Sequence, residues 1–574
     1  MAFALVILVV TALAVEQPSA PTPPAQPLTV SGAAVVKGAV AFQQLERSSR
    51  LGCCTPGSPD ELAGARWVAN HLKGFDKHPQ VDQFATQFPW RASPVAMVNV
   101  VAYARGPQPG VIAVIAHRDG GGADPAAGTA MLVQLSRVLA PLQLRRGIVL
   151  VSTDGGTTGG QGADHFAHTW PFARHIVAAI VLDSIGAPAH TRFSLLLRSQ
   201  SPRGTSPTLV AALRGQLLEA TGLQPSLPGA YDQLSGYAIP YAPTEQGPLL
   251  ARGLPAVGLS GGPLQGRPGS AARLDAAQLS QVGSAVANTV AALDATPSMD
   301  TGGSPAMFLG DRVVQGWLVQ VSLTALLAPV VACVLDLVAG LRRRRLLLAP
   351  GVRALVWRCS AWLVGLILLW VLTLVPGRLI SPIASVPLPG RTAVTTTGLL
   401  LWLGLWLVYW RFVTRPRLVR IGSVSGSERT AGLAAGLVGM AFASVLLAAI
   451  NPFALILVLP AAHAWLWLST AARAGRRAMA LVWLAGLLGP LLALLELWYG
   501  QGLGSQAPRA LVAMVASGYM SQAVSVCLAL FCAAGCQLAS LVLGRYAPAH
   551  PWTAASWREA AAGRPGARRA LTRP

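Results

Sequence analysis

The chain is poor in charge. Of its 574 residues only 11% are Asp, Glu, Lys or Arg and 53% are hydrophobic, too apolar a balance for an ordinary soluble enzyme. Acidic residues are scarcest in the second half, where residues 313–574 carry 4 of the 22, with 18 before them. The same half carries 23 of the 44 basic residues, against 21 in residues 1–312. Apolar runs follow one another there at roughly 314–340, 355–375, 394–413, 430–450, 453–472, 478–499 and 518–543, each near the ~20 residues a helix needs to cross a bilayer. An all-α transmembrane bundle of about seven helices is expected over 313–543, followed by a basic tail at 544–574.

Cysteine is scarce too. Of seven, Cys333, Cys359, Cys527, Cys532 and Cys536 fall in the expected spans, where a thiol serves as a small apolar side chain. Cys53 and Cys54 are adjacent, and a relaxed disulfide between neighbours is geometrically strained, so no disulfide framework is expected. A P-loop and a complete dinucleotide fingerprint are absent, which removes the phosphate-cradle reading of Gly120-Gly121-Gly122 and Gly155-Gly156.

What charge there is reports topology. Alternating the spans puts Arg342–Arg345, Arg353, Arg411–Arg429, Arg473–Arg477 and the tail from Arg545 on one side, leaving Arg378, Arg391 and Arg509 on the other. That asymmetry marks the arginine-rich side as cytoplasmic, with residues 17–310 outside. The net charge of +22 therefore calls for a lipid bilayer and not for nucleic acid. Ala2–Val15 is a short apolar run, so residues 1–16 read as a signal peptide or an N-terminal anchor, 17–40 as a Pro-rich linker and 41–300 as an extracytoplasmic domain. The expected location is the plasma membrane of a bacterium, with the C-terminus cytoplasmic. Asp336, Glu496 and His463 are the ionisable residues of the spans to follow; interfacial placement accounts for the two acids, and Pro460 and Pro490 are candidate kinks.

Within the exported part, strand-like and helix-like stretches alternate. Met97–Tyr103, Val111–Ala116, Gly147–Ser152, His175–Leu182 and Pro255–Leu259 read as strands. Asp60–Leu72, Thr129–Leu139, Ser206–Ala220 and Asp275–Leu293 read as helices. The pattern predicts an α/β sandwich around a mainly parallel sheet, in which ligands bind outside the carboxyl ends of the strands. His117, Asp119, Asp154 and Asp183 all fall just after strand-like runs, on that edge. Imidazole and carboxylates converging there suit a divalent cation such as zinc, although strand-end aspartates also commonly cap turns. His165 and His168, in a helical segment, are expected at the surface.

The order of these segments resembles the M28 family of zinc aminopeptidases over roughly residues 45–295. His117-Arg118-Asp119 looks like its first ligand motif, and Gly122-Ala123-Asp124-Pro125 like the segment of its metal-bridging aspartate, commonly followed by a cis peptide. Leu182-Asp183-Ser184-Ile185-Gly186 looks like the segment of a further aspartate ligand, and Gly253-Leu254-Pro255-Ala256-Val257 like the late strand before the last ligand. The resemblance implies an M28-like three-layer sandwich, metal ligands His117, Asp124 and Asp183, and Asp119 as the carboxylate orienting His117. It also exposes losses. Gly156 and Thr157 stand where the family has its general-base and metal-binding glutamates, and Ser260–Leu274 lacks the final histidine. At most one zinc ion is then expected, or none. Asp154 and Glu245 are the substitutes for the missing base; alternatively Asp154 caps the glycine-rich turn and Glu245 binds backbone amides.

The combination looks like the membrane-bound branch of the family, which includes active metallopeptidases and a catalytically degenerate subunit of the GPI transamidase. A non-catalytic binding or scaffold domain is expected, for a peptide, a lipid-linked substrate or a membrane-protein partner. The alternative is a single-metal extracytoplasmic peptidase or amidohydrolase using His117, Asp124 and Asp183.

Overall fold

Runs such as Val111-Ile-Ala-Val-Ile-Ala116 bury both faces of a strand, and they build the centre of the first half of the chain. The computed structural model describes residues 15–18, 20–47, 56, 58–87, 93–120, 122–262, 271–297, 299, 302–374, 396–418 and 424–549. Cys53, Cys54, Arg378, Arg391, most of the segment 1–16 and the tail beyond 549 lie outside these residues.

In chain order the elements are β1 (Val15–Glu16), α1 (Gly32–Arg47), α2 (Pro59–Leu72), β2 (Gln80–Thr86), β3 (Val95–Ala104), β4 (Val111–His117), α3 (Ala123–Leu139), β5 (Gly147–Thr153), α4 (Gln161–Thr169) and β6 (Ile176–Ser184). They continue with β7 (Ser194–Leu196), α5 (Pro207–Thr221), α6 (Ala230–Ala238), α7 (Gln246–Ala251), β8 (Ala256–Ser260), α8 (Ala276–Ala295), β9 (Ala306–Leu309) and β10 (Arg312–Gln315). The seven-stranded sheet runs β2-β3-β5-β4-β6-β8-β7, with β5, β4, β6 and β8 parallel and β2, β3 and β7 antiparallel to their neighbours. Strand alternation sorts the core into two layers. Ile112, Val114, Ile148, Leu150, Ile180 and Leu182 face α1, α3, α5 and α8, whereas Ala113, Ile115, Val149, Val151 and Val181 face α4 and α7. This is the expected α/β sandwich around a largely parallel sheet.

The expected linker 17–40 is in part core. Val30, Val35, Ala39 and Phe42 are buried, and α1 packs against α3 and α8. Helix α3 begins at Ala123, well before the expected Thr129, because Asp124-Pro125 suits a helix's first turn, where a proline lacks only an amide that would go unpaired. No cis peptide bond occurs among the described residues, so the Asp124–Pro125 bond is trans and the cis expectation is corrected.

The far end of α8 is locked by a reciprocal cap. Arg146, 6% exposed, donates to the carbonyls of Leu293, Asp294 and Thr296, while the Asp294 carboxylate accepts from the amides of Arg145 and Arg146. Arg146→Ala is expected to cost about 2 kcal/mol by leaving those acceptors unpaired, a loss that shows as a lower thermal midpoint.

The chain divides into two units, one of Met1–Gln320, Ser381–Ala393 and Glu496–Met514, the other of Val321–Ile380, Val394–Leu495 and Val515–Pro574. After β10 come α9 (Gly316–Arg343), α10 (Ala349–Thr373), α11 (Thr396–Arg417) and α12 (Gly426–Ile450), the last opened by a Ser425–Glu428 capping box. Next come the helices Leu455–Leu466, Leu468–Ala474, Arg476–Ala485 and Leu488–Leu495 (α13 to α16), Ala507–Ser517 (α17) and Gln522–Val542 (α18). Among the described residues five helices are long and apolar enough to span a membrane, and up to seven if each of two bent pairs is one span, which marks the chain as an integral membrane protein. The bends are 46° between Leu466 and Leu468 and 43° between Ala485 and Leu488. Glu496 belongs to the first unit, 3.6 Å from the Arg198 guanidinium that also binds Asp232 and Ser235. Asp336 is exposed, 3.7 Å from Arg343, and the His463 imidazole bonds the Leu459 carbonyl at 3.0 Å.

Candidate functional site

Parallel strands that end together bring their following residues together. His117 ends β4, with Asp119 two residues on; Asp154 follows β5; Asp183 is the next-to-last residue of β6; and Asp124 lies in the first turn of α3. His117 is 9% exposed, Asp119 is fully buried and Asp124 is 2% exposed.

His117 Nδ1 bonds the backbone carbonyl of Asp119 at 2.9 Å, and the Asp119 carboxylate stands farther off at 3.6 Å. The expected orienting carboxylate therefore acts on His117 through charge, with the hydrogen bond supplied by its main chain. That carboxylate is held by the opposite loop instead. It accepts from the Gly156 amide at 2.7 Å, the Thr157 amide at 2.9 Å and the Thr157 hydroxyl. Gly155, with φ 79°, makes this wrap by turning the chain left-handed, a conformation that favours glycine. Gly156 is pressed against the histidine: a Cβ there would stand 2.3 Å from His117 Cβ.

Asp124 accepts from the Ser184 hydroxyl at 3.0 Å, and the close approach of Gly186 leaves no room for a side chain beside its Oδ1. The Asp154 Oδ2 accepts from the Val98 amide at 3.2 Å, which ties the end of β5 to β3. Glu245, 1% exposed at the start of α7, accepts from the Thr153 hydroxyl and not from the expected backbone amides. Its Oε2 is buried with no hydrogen-bond partner among the described residues. His165 and His168 lie elsewhere, paired with Asp82 at 3.0 Å and Arg252 at 3.1 Å. Thr153, Ser184 and Ser260 complete the site. Sequence reading passed over them, although Thr153 and Ser184 each end a strand next to an aspartate; Ser260 reaches Asp183 only through the fold.

Electrostatics tie the group together. Burial pushes the His117 imidazole down, but Asp119, then Glu245 and Asp183, outweigh it and raise it to about 10. Burial also pushes Asp119 up, but His117 and then Thr157 hold it below the usual carboxylate range. Burial raises Asp183 to about 6, with Asp124 adding to it and His117 and Ser260 opposing. Burial, Asp119 and Asp183 raise Glu245 to about 7 against His117 and Thr153. A protonated imidazole thus faces carboxyls that ionise near neutrality, and any metal here has to displace that proton. Among the described residues no three His, Cys, Asp or Glu side chains stand close enough to hold a metal ion, so in this arrangement the donors do not fit zinc.

The fold is an α/β domain whose largely parallel sheet carries a histidine and aspartates at its strand ends, as the resemblance to M28 implies. Residues 99–238 match the family model described as Peptidase family M28. Solved structures similar to it include a glutaminyl cyclase from an Acidobacteriales bacterium, 18% identical, covering 48% of this chain and 99% of that one with a TM-score of 0.38. A zinc aminopeptidase from Bacillus subtilis is 11% identical, with 46% and 95% covered and a TM-score of 0.35. An aminopeptidase from Aneurinibacillus sp. strain AM-1 is also 11% identical, with 45% and 95% covered and a TM-score of 0.35. No curated protein matches the chain.

Proposed function

We propose that the M28-like domain is a non-catalytic binding or scaffold domain, displayed at the outer face of a membrane by the apolar helices that follow it. The observation that carries this reading is the closure at Gly156. The position that resembles the family's general base has no side chain, and His117 fills the space where one would begin. Loss of such a base typically costs about 100- to 10,000-fold in rate. The lost second glutamate position, Thr157, is spent on Asp119, and no histidine follows Leu259 before residue 275. Asp119, Asp124, Asp183 and Glu245 outnumber the one imidazolium, which favours a cationic group such as the ammonium of a peptide amino terminus or of a lipid-linked substrate.

The test uses full-length protein in detergent, assayed for zinc by elemental mass spectrometry and for hydrolysis of aminoacyl amides and short peptides. The expected result is no stoichiometric zinc after supplementation and no turnover. One zinc per chain, lost in Asp124→Ala together with turnover lost in Asp183→Ala, would overturn the reading.

Glu245 favours one other reading, a single-metal hydrolase in which His117, Asp124 and Asp183 would have to draw together to hold the ion. A buried carboxylate raised to about 7, with Oε2 lacking a hydrogen-bond partner among the described residues, has the properties of a general base. Under that reading Glu245→Gln abolishes turnover while leaving bound zinc unchanged. Under the scaffold reading there is no turnover to lose.

A further inference from the structure

A charge inside an apolar helix needs a partner, and the partner shows what the helix is for. Arg358 lies nine residues into α10, about 13 Å along its axis at the helical rise. Its Nη1 donates to the Ala354 carbonyl at 3.1 Å and to Gln537 Oε1 at 3.2 Å, and its Nη2 to the Ser540 hydroxyl at 3.2 Å. The Tyr546 ring lies 5.8 Å from its Cζ. Every one of these partners is neutral.

The guanidinium is half-buried and held in place by its neighbours. Gln537 is fully buried and donates to the Gly432 carbonyl of α12 at 2.8 Å and the Gly351 carbonyl of α10 at 3.3 Å. One amide thus ties α10, α12 and α18 together and fixes Arg358 between them. The acid whose charge reaches this neighbourhood is Glu428, and its carboxylate accepts from the Ser425 amide at 2.9 Å and hydroxyl at 3.0 Å. Among the described residues Arg358 has no ion-pair partner within 4 Å; Asp336, the other acid of this unit among them, pairs with Arg343.

Two further arginines pack against the neighbours of these residues in the chain. Arg417, from the end of α11, stacks over Trp357 with Cζ 4.3 Å from the ring. Arg476 packs beside Gly544, two residues before Tyr546, within 3.3 Å of where a Cβ would stand. Neither forms an ion pair among the described residues. Three arginines without an ion-pair partner among the described residues offer donors for an oxyanion, and the planar guanidinium matches phosphate geometry. Basic recesses between spanning helices on one side of a membrane accept phospholipid headgroups.

We propose that Arg358, supported by Arg417 and Arg476, forms a phosphate-binding site in the helical unit, filled by the headgroup of an anionic phospholipid or by inorganic phosphate. This does not depend on whether the M28-like domain is catalytic.

The test uses the full chain in nanodiscs of phosphatidylcholine alone, of phosphatidylcholine with phosphatidylglycerol, and of phosphatidylcholine with millimolar inorganic phosphate. Thermal midpoint and lipid retained in native mass spectrometry are read in each. A higher midpoint with phosphatidylglycerol alone assigns the site to lipid, and one with inorganic phosphate alone assigns it to the free anion. In R358Q the retained phosphatidylglycerol, or the affinity for phosphate, is expected to fall about tenfold, with R358K intermediate. If R358Q does not fold, R417Q takes its place and is expected to show a smaller loss. A wild-type midpoint unmoved by both additions, or R358Q retaining ligand like wild type, would overturn the site and leave Arg358 as a staple between helices.

Discussion

Arg118→Ala is expected to destabilise the M28-like domain by about 3–5 kcal/mol. Arg118 is fully buried directly after the site histidine, and its guanidinium joins three elements. Nη1 donates to the Ser152 carbonyl of β5 at 2.7 Å and to the Ser152 hydroxyl at 3.0 Å, and Nη2 donates to the Val98 carbonyl of β3. Nε lies 3.4 Å from Glu61 of α2, itself 4% exposed. Removing the guanidinium strands those carbonyls and leaves a buried carboxylate without its countercharge. For a domain of this size the thermal midpoint should drop on the order of 10 °C. Two controls separate charge from volume. Glu61→Gln combined with Arg118→Met should recover much of the loss, because no buried charge then remains unpaired. Arg145→Ala, at an exposed neighbour of the Arg146 cap, should stay within about 0.5 kcal/mol of wild type. An Arg118→Ala midpoint close to wild type would show that water reaches the ion pair.

Gly156→Glu should do what restoring a family residue usually does not: lower stability without giving activity. The new Cβ would sit 2.3 Å from His117 Cβ and 2.6 Å from its Cγ, so the turn has to move. Moving it breaks the amide bonds that Gly156 and Thr157 make to Asp119. Overpacking of this kind costs about 3 kcal/mol. Scanning calorimetry of full-length protein measures that loss, and peptide hydrolysis measured in parallel should remain at background. Turnover by Gly156→Glu would mean that the site is one substitution from a working peptidase, against the binding reading.

The sheet was legible where the residues left no alternative. Gly147–Thr153 and Val111–His117 are continuous apolar runs of strand length, and they became β5 and β4 within a residue of the expected ends. Helix α1 was missed because the prolines before it suggested a linker, although Val35, Ala39 and Phe42 already carried helical spacing. β2 was missed for the opposite reason. Gln80–Thr86 is polar and mostly exposed, as an edge strand is, and lacks the apolar run that marks a central one. The strand-end positions of His117, Asp119, Asp154 and Asp183 could be read from order alone. The behaviour of Asp154 and Glu245 could not. Asp154 is committed to Val98, 56 residues away, and Glu245 to Thr153, 92 residues away, and no local pattern encodes either contact.

The short sheet of β1, β10 and β9 has a kinetic consequence. Val15 and Glu16 pair with Val314 and Val313, and the Gln315 amide donates to the Glu16 carboxylate across 299 residues. This pairing cannot form until the chain has been made as far as Gly316, where the first apolar helix begins. The large sheet and its flanking helices can assemble earlier from nearer contacts, so β1 is expected to dock last. Closing so long a loop costs only slightly more than closing a shorter one, because the entropy grows with the logarithm of length. In pulse-labelled hydrogen exchange the amides of β10 facing β1 should therefore gain protection after those of β4, β5 and β6. The order in which the domain becomes complete is thus tied to the arrival of helix α9.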